Sequence, residues 1–200
     1  MPRLFTGLEI PPDVAAELGL YRGGLPGARW VDPANFHVTL RFIGDIDAGT
    51  ARDVAAVLGE VKARAPVTVT LDELAAFGGS RPRALIARAI PTEGLLRLQG
   101  EHEKLLRRVG LDPEGRKFTP HVTLARFRDT SAGDVARFIS ARGHVPRLAF
   151  TAARFVLYSA RDSVGGGPYV VEAAYPLDAP PVPQRPRRGS WRPGAETRPA

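Results

Sequence analysis

The chain has 200 residues, of which 44% are hydrophobic and 24% charged, so it is long enough for one globular domain with a sizeable core. It has no cysteine, which excludes disulfides, thiolate metal sites and cysteine nucleophiles, and its net charge of +7 suits an anionic partner without requiring one. No apolar run approaches the roughly 20 residues that cross a bilayer, and the first residues do not form a signal peptide, so we expect a cytoplasmic protein without membrane contact.

The first half of the chain alternates predicted strands and helices. Apolar residues spaced by three and four predict a short helix near residues 14–21 and a longer one over 50–63. Alternation of apolar and polar residues, bounded by glycine and proline, predicts the strands. These strands are expected at residues 3–10, 30–31, 37–44 and 67–71.

The second half repeats this order loosely. Helices are predicted over 95–109, with His102 packed in the apolar stripe, and over 134–141. Strands are predicted at residues 83–90, 118–127, 148–158 and 169–177. The repetition favours two related lobes about a pseudo-two-fold axis within residues 1–178. Residues 179–200, with six prolines and five arginines, are predicted to be a disordered tail.

The most informative feature is a repeated tetrapeptide led by histidine. His37-Val38-Thr39-Leu40 returns 84 residues later as His121-Val122-Thr123-Leu124, and these two histidines are half of the four in the chain. In a strand the histidine and threonine share one face, while valine and leucine share the other. We therefore expect two strands with apolar faces on a core and with His-Thr faces that look at each other across a groove.

Two facing His-Thr pairs suit acid–base chemistry on a phosphodiester. Imidazole titrates near pH 6.5, so one histidine can take a proton from water while the other gives one to the leaving oxygen. Threonine hydroxyls can donate hydrogen bonds to the phosphoryl oxygens. The scheme needs no metal or other cofactor, and the sequence has no H-E-x-x-H motif, Cys-His cluster, paired aspartates, P-loop or G-x-S-x-G elbow.

Two H-x-T-x motifs about eighty residues apart resemble the 2H phosphoesterase superfamily. Within it the chain is similar to the bacterial and archaeal RNA 2′,3′-cyclic phosphodiesterases, also called 2′–5′ RNA ligases. The similarity runs from about residue 3 to residue 177 and leaves the tail without a counterpart. Its strongest segments are residues 3–5, 30–44, 81–83, 118–126 and 157–159.

The resemblance implies an α+β bilobal fold, with two lobes of mainly antiparallel sheet, outer helices and a central cleft that holds both motifs. It implies hydrolysis of RNA 2′,3′-cyclic phosphate ends to 2′-phosphate ends. It further implies that His37 protonates the leaving 3′-oxygen, that His121 activates water, and that Thr39 and Thr123 hold the phosphate. The residues alone leave open which histidine is the acid and which the base.

Four further residues are candidates for substrate binding. The family has an arginine at the position of Arg126, credited with phosphate contact, but strict alternation places Arg126 opposite to His121 unless a bulge or strand end lies near Ala125. Alternation places Arg41 on the face of His37, where it binds substrate or forms a solvated rim charge. Phe5 and Tyr158 are candidates for stacking a base, with a core position as the alternative for Phe5.

Two other functions remain as alternatives. One is a nucleotide- or RNA-binding module on the same fold without turnover, although a pure binder has no need of two titratable pairs. The other is reversible joining of RNA through a 2′–5′ linkage, against which water at about 55 M should prevail unless the ends are held together. The expected partner is RNA with a 2′,3′-cyclic phosphate end or a small cyclic nucleotide, bound by a monomer.

Overall fold

The computed structural model describes residues 3–142, 146–160 and 167–177, and this part of the chain holds four α-helices and nine strands. The predicted tail at residues 179–200 lies outside it. The helices are α1 (Pro12–Gly19), α2 (Ala48–Leu58), α3 (Glu93–Arg108) and α4 (Ala132–Arg142), with a 3-10 turn at Pro33–Asn35. The strands are β1 (Arg3–Glu9), β2 (Ala28–Trp30), β3 (His37–Asp45), β4 (Val67–Phe77), β5 (Ala84–Ala89), β6 (His121–Phe127), β7 (Leu148–Ala152), β8 (Arg154–Ala160) and β9 (Tyr169–Pro176).

Most predicted elements are found near their expected positions, and the differences have local causes. β4 extends to Phe77 because it pairs with β5 from Leu71 to Phe77. A register shift between Leu71 and Glu73 interrupts the alternation of apolar and polar residues, so the sequence pattern ends there. The single strand predicted at 148–158 is two strands, β7 and β8, since the chain leaves one partner and joins another at Ala153. Periodicity alone does not show such a change of partner.

All nine strands belong to one antiparallel sheet, in the order β7-β4-β5-β6-β3-β1-β8-β9 with β2 paired to β6. Only Ala153 separates β7, at one edge, from β8, near the other. The sheet therefore curls until its two ends approach each other. The α+β class and the mainly antiparallel sheet are confirmed.

The two motif strands are neighbours at the centre of the sheet. β3 and β6 pair at one position, Val38 opposite Val122, and four strands of the order lie on either side of this junction. The two lobes are thus halves of one sheet. The His-Thr faces lie side by side on the same surface of this sheet, whereas the sequence pattern favoured faces opposed across a groove.

Helix α3 covers the other surface of the sheet. Its N-cap Thr92 accepts a hydrogen bond from the amide of Leu95, and its apolar stripe is buried. His102 in this stripe is 0% exposed, its Nδ1 lies 2.9 Å from the hydroxyl of Thr6, and its ring meets that of Phe155 edge to face. Burial lowers the pKa of His102 to about 3. The prediction that His102 is a packed core residue is confirmed.

Candidate active site

The junction of β3 and β6 fixes the arrangement of the two motifs. Val38 and Val122 are directly opposite each other and are fully buried on the helix side. In an antiparallel arrangement, the residues on either side of such a position run past each other in opposite directions. Each histidine therefore lies across from the threonine of the other motif. The four residues of this square line one cleft of about 850 Å³: His37, Thr39, His121 and Thr123.

Both imidazoles are held in the same way by the backbone. Nδ1 of His37 lies 2.8 Å from the carbonyl oxygen of Asn35, and Nδ1 of His121 lies 2.7 Å from that of Thr119. Because a carbonyl oxygen only accepts, Nδ1 of each ring carries the hydrogen. Nε2 of each neutral ring is then left with a lone pair for a group in the cleft.

The surroundings of the histidines favour their neutral forms. Burial, followed by the charges of His121 and Arg126, lowers the pKa of His37 to about 4, although the hydrogen bond to Asn35 opposes the shift. Burial and then Arg126 also lower the pKa of His121. Both rings are therefore neutral at pH 7 in the unliganded protein, and a bound anion is the kind of group that would raise their pKa values.

An aromatic cluster supports His37 from behind. The ring of Phe5 lies 4.8 Å from that of His37, the ring of Tyr169 lies 5.1 Å away, and that of Tyr158 lies 5.6 Å away. Phe5 is only 4% exposed and Tyr158 only 8% exposed, and neither lines the cleft. Phe5 thus takes the core position given as its alternative, and both rings pack against the His37 ring.

A bulge in each motif strand changes which residues face the cleft. In β6 the pairing with β5 passes from Thr123 to Ala125 and skips Leu124, so Arg126 returns to the cleft face. Of the two conditions under which Arg126 can share the face of His121, a bulge or a strand end near Ala125, the structure has the bulge. In β3 the pairing with β1 passes from Thr39 to Arg41 in the same manner, so the residue that reaches the cleft face is Phe42.

Arg41 is consequently turned toward the helix side, contrary to strict alternation. It is 8% exposed, its Nε lies 2.6 Å from a carboxylate oxygen of Glu103 in α3, and it donates hydrogen bonds to the carbonyls of Phe42 and Asp112. Arg41 is still among the residues that line the cleft. Its charge is neutralised there, and its contacts fasten the loop that follows α3 to β3.

Sequence reasoning missed two exposed phenylalanines in the cleft. Phe42 is 43% exposed, and Phe77 is 36% exposed with its ring 4.7 Å from that of His121, edge to face. Applying the bulge of β6 to the matching position of β3 would have identified Phe42. Phe77 lies beyond the predicted end of its strand, so no signal pointed to it.

Among the residues that the structure describes, no three side chains of His, Asp or Glu come together in a way that suits a metal ion. No helix in the same ranges is long and apolar enough to span a membrane.

Comparison with known proteins gives a family. The family model described as LigT like phosphoesterase matches residues 8–86 and again residues 89–169, so each match contains one His-Thr motif. An RNA 2′,3′-cyclic phosphodiesterase of Aeropyrum pernix is 36% identical over 107 residues, which are 52% of this chain and 60% of that protein. A protein of the same name from Bacillus subtilis is 29% identical over 132 residues, 62% of this chain and 71% of its own. The chain thus spans less than two thirds of the Aeropyrum relative.

Solved structures share the fold over most of the chain. Escherichia coli LigT complexed with 3′-AMP superposes with a TM-score of 0.72 at 24% identity and covers 89% of this chain and 99% of its own. A protein from Thermus thermophilus gives a TM-score of 0.72 at 25% identity, with 88% of this chain and 97% of its own covered. Since the family model matches most of the chain in two copies, the protein belongs to the family of LigT-like phosphoesterases.

Proposed function

We propose that this protein hydrolyses the 2′,3′-cyclic phosphate at the end of an RNA to a 2′-phosphate, with two histidines and without a metal ion. The observation that carries the proposal is the pair of imidazoles with the same tautomer, both of which leave Nε2 for one cleft. The names of the Aeropyrum and Bacillus relatives support this choice of substrate.

The proposed reaction is an in-line displacement at phosphorus. One neutral histidine takes a proton from water through Nε2 as the water oxygen forms its bond to phosphorus. The bond from phosphorus to the 3′-oxygen breaks, and the second histidine, in its protonated form, gives its Nε2 proton to that oxygen. The products are a 2′-phosphomonoester and a free 3′-hydroxyl. The threonine hydroxyls and the Arg126 guanidinium offer hydrogen bonds to the non-bridging oxygens, on which negative charge accumulates.

Binding of the anionic substrate is expected to raise the pKa of the histidine that acts as the acid. Holding a proton on His37 at pH 7, when its pKa is about 4, requires about 4 kcal/mol. A phosphate anion about 4 Å from the ring gives an attraction of about this size at an effective dielectric constant near 20. The diester is therefore expected to bring the acid into its active form. The family resemblance assigns this role to His37 and the base to His121.

The first test measures the product. The full chain is incubated in excess chelator with a short RNA that ends in a 2′,3′-cyclic phosphate, and the product end is identified. We expect a 2′-phosphate end. His37→Ala and His121→Ala are each expected to lose about 10²–10⁴-fold in kcat. A 3′-phosphate end, a requirement for added metal or a fully active variant would contradict the proposal.

A modified substrate separates the two roles. Replacing the 3′-bridging oxygen with sulfur gives a leaving group that departs without protonation, so it should restore turnover to the variant that lacks the acid only. We expect recovery in His37→Ala and none in His121→Ala, and the reverse result would exchange the roles. Binding of the RNA without turnover in the wild type would favour the binding module. Formation of a 2′–5′ bond on addition of a 5′-hydroxyl RNA would reveal the joining reaction.

A further inference from the structure

The charges in the lining of the cleft are unevenly distributed. Glu114 is the single carboxylate in this lining within the described ranges. The cationic residues in the same lining are Arg41, Arg81, Arg83, Arg116, Lys117 and Arg126. Arg41 is paired with Glu103, and Arg116 is paired with Glu114 at 3.0 Å. The other four have no ion-pair partner in the part of the chain that the structure describes.

All four unpaired cations come from the half of the sheet that contains His121. Arg81 and Arg83 lie in the turn between β4 and β5, Lys117 lies in the segment before β6, and Arg126 lies in β6. Arg126 is close enough to the reacting groups to lower the pKa of both site histidines. Arg81, Arg83 and Lys117 are outside the reacting square and form what we call the basic wall.

The turn that carries two residues of this wall is a defined structure. Arg81 donates its amide hydrogen to the carbonyl of Gly78, and Arg83 donates to the carbonyl of Phe77 at 2.7 Å. Gly78 has a φ of 111°, and a Cβ there would lie 2.2 Å from the Arg81 carbonyl oxygen, so only glycine fits. The turn therefore fixes the backbone of both arginines next to the end of β4 at Phe77.

The chemistry of the proposed substrate indicates which groups the basic wall would contact. A 2′,3′-cyclic phosphate exists only on the last ribose of an RNA, so every other nucleotide must leave the cleft in the 5′ direction. Each of these nucleotides brings a phosphate that cations attract and a base that an exposed aromatic ring can stack. The basic wall and Phe77 together offer both contacts on the side of His121.

We propose that the basic wall and Phe77 bind the nucleotides on the 5′ side of the cyclic phosphate, so that the substrate is the end of a single-stranded RNA rather than a cyclic mononucleotide. This inference rests on the proposed function for the location of the reacting phosphate. It adds a claim about substrate length, because a cyclic mononucleotide has no 5′ nucleotide for the wall to bind.

Salt dependence gives the expected size of the effect. Each phosphate contact to a single strand contributes a slope of about −0.7 in log affinity against log salt. The three wall cations alone predict a fall in oligomer affinity of about 18-fold between about 50 and 200 mM salt, apart from the contribution of Arg126 at the cyclic phosphate. With Arg81→Ala and Arg83→Ala combined, one wall cation remains and its share of the fall is only about threefold.

The test compares two substrates in matched variants. A nucleoside 2′,3′-cyclic phosphate and an oligomer of about eight nucleotides with the same end are assayed for kcat/KM, and oligomer binding is followed separately by fluorescence anisotropy. The Arg81→Ala/Arg83→Ala variant should lose about tenfold with the oligomer, with a reduced salt slope, and should keep its activity on the mononucleotide. The control, Arg52→Ala/Arg107→Ala, removes the same charge from exposed positions of α2 and α3 outside the cleft and should change neither substrate.

The base contact has its own variant. Phe77→Ala should weaken binding of the oligomer by about 5–160-fold, the range for loss of one stacked base. Two results would overturn the inference: equal kcat/KM for both substrates, or an oligomer affinity that is the same in the wall variant and the wild type. The proposed function would still hold in either case if the mononucleotide is turned over. If no substrate were turned over, the anisotropy titration with its salt series would still decide whether the wall binds RNA.

Discussion

The acidity of the two site histidines leads to a specific pH profile for kcat/KM. A mechanism with one protonated and one neutral imidazole gives a bell whose limbs report the pKa values of the free protein. His37 has a pKa of about 4, and that of His121 is lowered from its ordinary value near 6.5. We therefore expect the optimum of kcat/KM between about pH 4 and pH 6.5, on the acid side of neutrality.

The size of the loss at higher pH follows from the same values. Above the upper pKa, the active form decreases tenfold per pH unit. An upper limit near 6.5 then means that kcat/KM at pH 8 is at most about one thirtieth of its maximum. The optimum of kcat should lie at higher pH, because the bound phosphate anion raises the pKa values of both rings.

Substitution of Arg126 is expected to shift this pH profile. Its charge is among the causes that lower both pKa values, so Arg126→Gln should move both limbs of the profile toward neutral pH, whereas Arg126→Lys should leave them in place. Both variants lose phosphate contacts, so the position of the bell is compared and its height is not. Initial rates on one cyclic substrate over a pH series at constant ionic strength measure it. An optimum above pH 7, or identical profiles for the two variants, would refute the reasoning.

Three further changes test the support of the site. Gly7→Ala adds a Cβ 2.9 Å from a carbonyl oxygen of β3 and 3.6 Å from the ring of His37. It should lower kcat and cost about 1–3 kcal/mol of unfolding free energy, whereas Gly100→Ala in the open on α3 should stabilise by about 0.5–1 kcal/mol. Oδ1 of Asn35 accepts a hydrogen bond of 3.2 Å from the amide of Tyr169, whose ring packs against His37. Asn35→Ala removes this acceptor and should lower kcat about tenfold with little change in KM. Asn35→Asp keeps an oxygen at this place and should recover most of the lost kcat. His102 has a folded pKa of about 3, so the unfolded chain takes up its proton first, and stability present above pH 6.5 is lost as the pH falls. Urea unfolding at pH 8 and pH 5 measures this loss as the decrease in unfolding free energy between the two pH values. The decrease should be about 2 kcal/mol smaller in His102→Gln than in the wild type. An equal decrease in both proteins would contradict the prediction.

The sequence was sufficient for the features that repeat. The periodicity of α3 and the alternation around the two His-Thr motifs are local, so they identified the buried face of the helix and the four residues of the square. The burial of His102 followed from its place in an apolar stripe. These predictions depend on which residues share a face, and a strand or helix period determines that directly.

The rest depended on contacts between distant segments. Whether Arg41 or Phe42 faces the cleft is decided by a bulge in the pairing of β3 with β1, and a strand's own sequence does not show where its partner slips. The same holds for the division at Ala153, where the chain changes partner. The aromatic support of His37 draws on β1, β8 and β9, so no spacing within one segment could reveal it.

The two bulges have a consequence for the polarity of binding. A frame with a two-fold axis between its motifs would hold a phosphate equally well in two orientations that exchange the partners of His37 and His121. The bulges place Phe42 in the cleft on β3 and Arg126 at the matching position on β6. An anionic oxygen of the ligand is therefore favoured beside Arg126, and an apolar part of the ligand is favoured beside Phe42. A difference of about 1.4 kcal/mol between the orientations already gives a tenfold preference. Under the proposed mechanism, this difference between Phe42 and Arg126 would give the cleft a direction and would select which bridging oxygen leaves.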